Sequence, residues 1–332
     1  MVSQLQTKRY LKLFLSFILI TLVIILSGTG YVFTKPSLEY NEVKRHSLRP
    51  QKSAEKSVNE TESLWKSVRV LCLILTSKTG QAKMAAVNET WASKCDKKYF
   101  LFSREINKTD NAEMLFLPVK EGRAHLTAKV RYALKYAYEK HRNEFDWFLK
   151  CDDDTYIIME NLRHLLASTD HNKPSYMGFH MKLFVKNGFM SGGGGYVISS
   201  RALHDVVRIG FENGSCKIDG HGEDVEIGKC LQASGVKVLS TLDTTGKETF
   251  HASKLFQHLR ANPKTFWLKK YAWNNHSMGP MCCSRYSVTF HYVRPEDMYN
   301  FHHLLYHTEV LGNLRPPVPD TIFNLQPVNP PP

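Results

Sequence analysis

Three consecutive aspartates, Asp152–Asp154, follow directly on the apolar run Phe145–Cys151. Adjacent carboxylates repel one another, and a folded protein tolerates them most readily when a divalent cation binds there. A site rich in oxygen ligands suits Mg²⁺ or Mn²⁺, which can neutralise the charge of a departing diphosphate. The alternatives are a solvated acidic turn and a helix N-cap formed by Asp154 and Thr155. Because a buried strand is predicted to precede the cluster, we favour a metal site.

A second acidic pair, Glu223 and Asp224, lies in the glycine-containing stretch Gly220–Val225. Glycine permits backbone angles that bring a chain close to a ligand, and a carboxylate held beside an acceptor hydroxyl can act as a general base. The run Val225–Leu231 has a helical pattern, so an N-cap with an acidic first turn explains the pair equally well. The residues alone leave both interpretations open.

Two weaker signals are the glycine run Gly192–Gly195 and a histidine, His291, within the alternating stretch Ser287–Val293. The glycine run lacks the Gly-Lys-Ser/Thr ending of a P-loop and the spacing of a dinucleotide fingerprint, so by itself it indicates a flexible hairpin. A histidine among apolar residues is by itself typical of a core position, although histidine is also a common metal ligand.

The elements that would position these residues alternate between strands and helices. Val68–Thr76 is a continuous run of β-branched and apolar residues, typical of a strand buried on both faces. Further strands are predicted at Lys98–Phe102 and Phe145–Lys150, and helices at Gln81–Lys94, Ala124–His141 and Asn161–Ala167. Such alternation predicts an α/β sheet that binds ligands at the carboxyl ends of its strands, within one domain at residues 67–315.

The N-terminal region contains an uncharged apolar run, Leu13–Phe33, of 21 residues, and about 20 residues cross a bilayer core. Basic residues precede it, which predicts a cytoplasmic tail at 1–12 and a retained membrane anchor at 13–33. A cleaved secretory signal is the alternative. The polar segment 34–66 is predicted to be a stem, and 316–332 a loose proline-rich tail.

Two features place the chain beyond the anchor in the lumen of the secretory pathway. Five N-glycosylation sequons are present, at Asn59, Asn88, Asn107, Asn213 and Asn275. Seven cysteines all follow the apolar run, and in an oxidising compartment they allow up to three bridges. The sequence contains no C-x-x-C pair of the kind that would indicate a zinc site. The adjacent Cys282 and Cys283 could bridge each other or pair elsewhere.

The chain is basic, with 44 Lys and Arg against 31 Asp and Glu and a formal net charge of +13. Such a balance often accompanies nucleic-acid or membrane binding. The cations are spread along the chain, and no basic stripe with interleaved aromatic residues is present. We therefore expect no nucleic-acid partner, and a sugar diphosphate explains local positive charge better.

Taken in their order along the chain, several segments resemble glycosyltransferase family 31 and, within it, the core 1 β1,3-galactosyltransferases. The matching stretches are Lys120–Arg123, Phe145–Lys150, Asp152–Tyr156, Met190–Val197, Glu223–Val225, Thr245–His251 and Cys282–Ser284 leading to Phe290–Val293. The resemblance covers residues 65–315, and the predicted anchor and stem agree with it. It implies a GT-A fold, a Rossmann-like α/β domain, in a single-pass type II protein of the Golgi membrane.

The resemblance also implies an activity. Galactose would pass from UDP-galactose to the 3-hydroxyl of N-acetylgalactosamine on Ser or Thr of a glycoprotein acceptor, with inversion and with Mn²⁺ as cofactor. A second copy of the chain is a further candidate partner. The alternatives are a β1,3-transferase with another donor or acceptor, a non-catalytic chaperone-like relative, which would lack the acidic motif, and a lectin-like module.

Roles for individual residues follow from the same resemblance. The resemblance implies that Asp152, Asp154 and His291 bind the metal and that Asp224 is the general base. Substrate binding falls to Glu121, Gly122, Arg123, Lys129, Asp152, Asp153, Gly193, Glu223 and Trp267. Within this set, the cations Arg123 and Lys129 suit a diphosphate, and Trp267 would stack on a sugar ring.

The resemblance further implies the bridges Cys72–Cys95, Cys216–Cys230 and Cys282–Cys283, with Cys151 left free. The chain departs from the family pattern at Cys151, where a small residue without a thiol is expected, and at Ala252–Ser253. The region Trp267–Met278 also differs. These departures affect the predicted acceptor more than the predicted donor.

Overall fold

The computed structural model describes residue 63 and residues 67–103, 113–214, 216–260, 266–275, 277–312, 319 and 321–328. The predicted cytoplasmic tail and membrane anchor, and most of the predicted stem, lie outside the described residues, as do Asn59 and Asn107. Among the helices that are described, none combines the length and the apolar character needed to cross a membrane.

The centre of the fold is a seven-stranded sheet whose order is β10-β6-β9-β4-β1-β2-β3. Its strands, in chain order, are β1 Val70–Leu75, β2 Lys97–Ser103, β3 Met114–Leu117, β4 Trp147–Asp152, β6 Ser175–Gly178, β9 Tyr196–Ser199 and β10 Lys237–Val238. All neighbouring pairs are parallel except those of β9, which runs antiparallel to both β4 and β6. The prediction of an α/β fold around a largely parallel sheet is confirmed.

Helices connect these strands, and two small antiparallel sheets flank them. The helices are α1 Gln81–Glu89, α2 Leu126–His141, α3 Met159–Ala167, α4 Ser200–Asp205, α5 Glu223–Ala233, α6 Leu255–Arg260, α7 Leu268–Tyr271 and α8 Pro295–Tyr306. The small sheets pair β5 Tyr156–Ile157 with β11 Thr289–Phe290, and β7 His180–Met181 with β8 Phe189–Met190. The alternating run around His291 forms only the short strand β11.

The central strand β1 is buried on both faces, as its continuous apolar sequence predicts. Val70, Cys72 and Ile74 pack into one core cluster, while the alternate leucines pack into the other. Since β1 and β4 are parallel and in register, Leu75 at the end of β1 lies opposite Asp152 at the end of β4. The acidic triplet therefore emerges at the carboxyl edge of the sheet.

The antiparallel strand β9 brings a third segment to that same edge. Tyr196 at its start pairs with Lys150 near the end of β4, so the preceding glycines lie beside the acidic triplet. This run is not a hairpin, because β8 pairs with β7 while β9 pairs with β4 and β6. The expectation of a flexible hairpin was wrong: the glycines form a packed turn.

The three implied disulfides are confirmed: Cys72–Cys95, Cys216–Cys230 and Cys282–Cys283. Cys151 is the free cysteine of the described residues, and it is buried in β4. The first bridge ties β1 to the turn before β2, and the second ties α5 to the segment that precedes it.

Candidate active site

A cleft of about 480 Å³ opens at the carboxyl edge of the sheet. Every predicted site residue except Trp267 lines it: Glu121, Gly122, Arg123, Lys129, Asp152, Asp153, Asp154, Gly193, Glu223, Asp224 and His291. Trp267 is 41% exposed and lies away from the cleft wall, in edge-to-face contact with Phe266 and Tyr271. The structure thus assembles the predicted set around one cleft and leaves the aromatic candidate outside it.

The side chains of Asp152, Asp154 and His291 converge at this cleft. One potential ligand atom from each lies within 4.8 Å of the others. His291 Nε2 is 3.2 Å from Asp154 Oδ1 and 3.9 Å from Asp152 Oδ2. Two carboxylates and one imidazole form a donor set compatible with a divalent cation, so the group fits the metal that the acidic motif implies.

His291 reaches this group because the backbone around it is held in place. Its N–H donates to the carbonyl of His251, and the N–H of Val293 donates to the carbonyl of Asp154 at 2.8 Å. Between them, Tyr292 adopts φ of 55°, a left-handed conformation that is uncommon for an aromatic residue. His291 is buried, as expected for a core position, but its ring faces the carboxylates.

The glycine turn makes room for that imidazole. A Cβ at Gly193 would overlap the ring of His291, and a Cβ at Gly192 would lie 2.7 Å from Glu223 Oε2. The carbonyl of Gly193 accepts a hydrogen bond from the Thr155 hydroxyl at 2.6 Å. Glycine is therefore required at position 193 by close packing against a site residue.

The acidic triplet is neither a solvated turn nor a helix cap. Asp154 is followed by β5 rather than by a helix, which removes the N-cap alternative. Asp153 is buried, accepts a hydrogen bond from the Thr76 hydroxyl at 2.8 Å, and has a pKa raised mainly by burial. For Asp154, burial opposes ionisation, but His291 and Lys83 together lower its pKa to about 2.

The second acidic pair begins α5, which starts at Glu223. Glu223 is buried, bonded to Lys150 Nζ at 2.9 Å and to the Tyr196 hydroxyl at 2.8 Å, and burial raises its pKa. Asp224 is less buried, and its Oδ2 accepts from the backbone N–H of Gly192 at 3.2 Å. Of the two carboxylates, Asp224 is the one open to a ligand in the cleft.

The cleft is also lined by two cations, Arg123 and Lys129, near a turn. Gly122 adopts φ of 113°, a region that favours glycine, between the exposed residues Glu121 and Arg123. Lys129, in the first turns of α2, is buried and donates to the carbonyl of Thr76 at 2.8 Å. Burial lowers the pKa of Lys129. Side chains of these two types commonly bind phosphate groups in proteins.

Lys150, Lys83 and Tyr292 are among the cleft residues to which reasoning from the sequence gave no role. Lys150 lies inside the buried strand β4, and a lysine there could have been noticed, because a buried cation requires partners. Lys83 and Tyr292 carried no comparable signal. Lys83 comes from α1, and Tyr292 is 46% exposed with its ring stacked on His291 at 3.7 Å between centroids.

Comparison with known proteins agrees with this geometry. The sequence model of the Fringe-like family matches residues 70–305. Glycoprotein-N-acetylgalactosamine 3-beta-galactosyltransferase 1 of Xenopus laevis is 40% identical over 272 residues, which cover 80% of this chain and 74% of that protein.

Two further relatives match shorter parts of the chain. Chondroitin sulfate synthase 3 of Homo sapiens is 31% identical over 114 residues, covering 31% of this chain and 13% of that protein. Beta-1,3-glucosyltransferase of Mus musculus is 27% identical over 165 residues, covering 47% and 31% respectively. The family match spans the sheet, the cleft and α5. The chain therefore belongs to the Fringe-like family of glycosyltransferases, in glycosyltransferase family 31.

Proposed function

We propose that this protein transfers galactose from UDP-galactose to the 3-hydroxyl of N-acetylgalactosamine on Ser or Thr of glycoproteins, with inversion and with a bound divalent cation. The observation that carries the proposal is the cleft itself. It brings a metal-compatible group, Asp152, Asp154 and His291, together with two cations and an accessible carboxylate. The 40% identity to a protein named for this transfer supports the choice of donor and acceptor.

Donor binding is assigned to the acidic triplet and to the residues around Gly122 and Lys129. Asp152, Asp154 and His291 would hold the cation, and we propose Mn²⁺ because carboxylates suit it and imidazole suits transition metals. A cation bound there supplies neutralisation of charge on the diphosphate leaving group. Glu121, Gly122, Arg123 and Lys129 would contact UDP, with Arg123 and Lys129 directed to its phosphates.

The remaining donor contacts lie deeper in the cleft. Asp153 would touch the donor sugar or ribose, although its Oδ2 is already bonded to the Thr76 hydroxyl. Gly193 would let the backbone approach the sugar closely, because no side chain intervenes.

Acceptor activation is assigned to Asp224. Its carboxylate takes the proton from the attacking 3-hydroxyl, which then adds to the anomeric carbon on the face opposite the departing UDP. Glu223 supports this step by anchoring the start of α5 through Lys150 and Tyr196. Trp267 remains a proposed acceptor contact, and its position outside the cleft would suit the peptide side of the acceptor better than the reacting sugar.

The same proposal extends to architecture and location. The parallel-rich sheet, with its acidic triplet at a strand end, is consistent with a GT-A fold. We propose a single-pass type II protein of the Golgi membrane with residues 67–315 as the lumenal catalytic domain. The three disulfides support an oxidising compartment, and a homodimer is proposed as the assembly.

Product analysis tests the proposed activity. Purified protein is incubated with labelled UDP-galactose and a peptide carrying α-linked N-acetylgalactosamine, with Mn²⁺ or with chelator. We expect a β1,3-linked galactosyl product that NMR identifies, and none with chelator. Product formed at the full rate with chelator would overturn the metal assignment.

A second candidate is a β1,3-transferase with another donor or acceptor. The partial similarity to a beta-1,3-glucosyltransferase favours this alternative. A panel of nucleotide sugars, with UDP release as the signal, separates the two. A non-catalytic relative without the acidic motif is disfavoured, because Asp152–Asp154, Asp224 and His291 are all present.

A further inference from the structure

The carboxylates of Asp152 and Asp154 are arranged alike: in each, one oxygen faces His291 and the other is bonded to a lysine. One oxygen of each faces His291: Asp152 Oδ2 at 3.9 Å and Asp154 Oδ1 at 3.2 Å from Nε2. The other oxygen of each is bonded to a lysine. Asp152 Oδ1 accepts from Lys150 Nζ at 3.0 Å, and Asp154 Oδ2 accepts from Lys83 Nζ at 3.0 Å.

We propose that Lys83 and Lys150 are positioning residues that orient Asp152 and Asp154 so that each offers one oxygen to the metal. The inference rests on the proposed function, since it concerns the same site. Partners of this kind, which hold a ligand by the atoms that do not touch the metal, commonly change metal affinity by about 10–100-fold when removed. Neither lysine itself would touch the cation.

The two lysines reach their carboxylates from different parts of the fold. Lys150 projects from β4 and is only 2% exposed, and it also bonds Glu223 Oε2 at 2.9 Å and the carbonyl of Gly192 at 3.1 Å. It therefore links a proposed metal ligand to the start of α5, where Asp224 lies. Lys83 projects from α1, is 40% exposed, and also lies 3.4 Å from Asp153 Oδ1.

In an opposing explanation, the lysines are counter-ions of the two carboxylates, and a bound metal displaces them. The two explanations predict opposite signs for metal affinity. If Lys83 competes with the cation, its removal strengthens metal binding, because a nearby positive charge is lost. If Lys83 orients Asp154, its removal weakens binding, because the carboxylate is free to rotate and to offer both oxygens elsewhere.

Lys83→Met provides the decisive variant, since the exposed position of Lys83 makes misfolding a minor concern. Mn²⁺ binding to the full chain is measured by electron paramagnetic resonance without any donor or acceptor. We expect binding about 10–100-fold weaker than in the wild type, with Lys83→Arg retaining much of the affinity because it keeps a donor. Binding that is unchanged or tighter in Lys83→Met would overturn the inference.

Lys129→Met is the matched control. It removes a lysine from the same cleft whose ammonium donates to the carbonyl of Thr76 rather than to a proposed ligand. It therefore loses the same charge without loosening a carboxylate, and we expect Mn²⁺ binding to be no weaker than in the wild type. Equal weakening in both lysine variants would mean that a general disturbance of the cleft, and not the orientation of Asp154, lowers the affinity, and it would overturn the inference.

Lys150 needs a compensated variant, because its removal leaves Glu223 buried without a cation. Lys150→Met is therefore compared with Lys150→Met combined with Glu223→Gln, after thermal unfolding has shown that the protein folds. We expect weakened Mn²⁺ binding in the double variant and wild-type-like binding in Glu223→Gln alone. Failure of the wild type to bind Mn²⁺ would overturn the metal assignment itself, whereas wild-type binding with no lysine effect overturns only this inference.

Discussion

The cleft and the segment around Glu248 both bury carboxylates, but they balance them in different ways. In the cleft, Glu223 is bonded to Lys150 and Asp154 to Lys83. Glu248 is as deeply buried, and its Oε1 accepts from the side-chain amide of Asn274 at 2.9 Å. Its Oε2 has no hydrogen-bond partner among the described residues.

The difference shows how one fold can keep some buried carboxylates charged and others neutral. Burial without a cation raises the pKa of Glu248 to about 7, because the charged form loses its hydration and gains little in return. In the cleft, lysines replace that hydration. The pKa of Asp154 is therefore held low by His291 and Lys83, whereas Glu248 takes up a proton near neutral pH.

The strongest test of this contrast removes a charge from the cleft. Asp154→Ala should abolish metal-dependent transfer, by at least about 10³-fold, since a lost metal contributes several kcal/mol and each 1.36 kcal/mol is tenfold in rate. Initial rates with and without Mn²⁺ measure the effect, and circular dichroism checks that the protein remains folded. Full activity in this variant would show that the acidic triplet does not bind the cation.

Asp224→Asn separates catalysis from binding within the cleft. The amide cannot accept the proton of the attacking hydroxyl, so turnover should fall by about 10²–10⁴-fold, while UDP still binds. Steady-state kinetics and UDP titration by calorimetry measure the two properties. Normal turnover would transfer the base role to another carboxylate, first of all to Glu223.

Gly193→Ala tests whether close packing holds the metal group together. The added Cβ would displace the imidazole of His291, and we expect Mn²⁺ to bind about 10–100-fold more weakly, as when the support of a ligand is lost. Gly222→Ala is the matched control, because a Cβ there meets no atom within 4 Å. Similar Mn²⁺ affinity in the two variants would contradict the packing explanation.

Glu248→Gln addresses the other side of the contrast and should change stability rather than the proposed chemistry. Folding raises the pKa of Glu248 from 4.5 to about 7, so between these values the folded state binds more protons than the unfolded state. The stability of the wild type therefore falls as the pH rises from 4.5 to 7, and the loss is complete above 7.

Because glutamine does not ionise, the variant should be more stable than the wild type at pH 8, by about 1–3 kcal/mol. The advantage should disappear at about pH 3, well below the unfolded-state pKa, where the glutamate is neutral in both states. Chemical denaturation at the two pH values measures the difference. A difference that is independent of pH would show that Glu248 is not protonated in the folded protein at neutral pH.

Much of the sheet could be predicted from local patterns. The strand Val70–Leu75 and the helix Leu126–His141 lie where apolar continuity and helical spacing placed them. The helix predicted at Gln81–Lys94 ends earlier, at Glu89, and a 3-10 turn at Ala92–Lys94 follows before the strand β2. The disulfide between Cys72 and Cys95 lies at the end of this turn, a contact that local spacing does not reveal.

The candidate site was less accessible to the same reasoning. Spacing alone favoured a core role for His291 and a hairpin for the glycine run, and only the family resemblance pointed to His291 as a ligand. In the structure, the position of His291 depends on the glycine at 193, because the imidazole occupies the space that a side chain there would take. Each residue is uninformative until its neighbour across the fold is known.

The amino-acid sequence by itself determined that Asp152–Asp154 would lie at the end of a buried strand, because hydrophobic continuity and β-branched residues select such a strand locally. It also determined which residue types were available for chemistry. Only the tertiary structure decided that Lys83, Lys150 and His291 surround those aspartates and that Trp267 does not. Lys150 is two residues from Asp152 in β4, but Lys83 and His291 come from distant parts of the chain. Whether such distant contacts form depends on how the parallel sheet and its crossovers bring strand ends together.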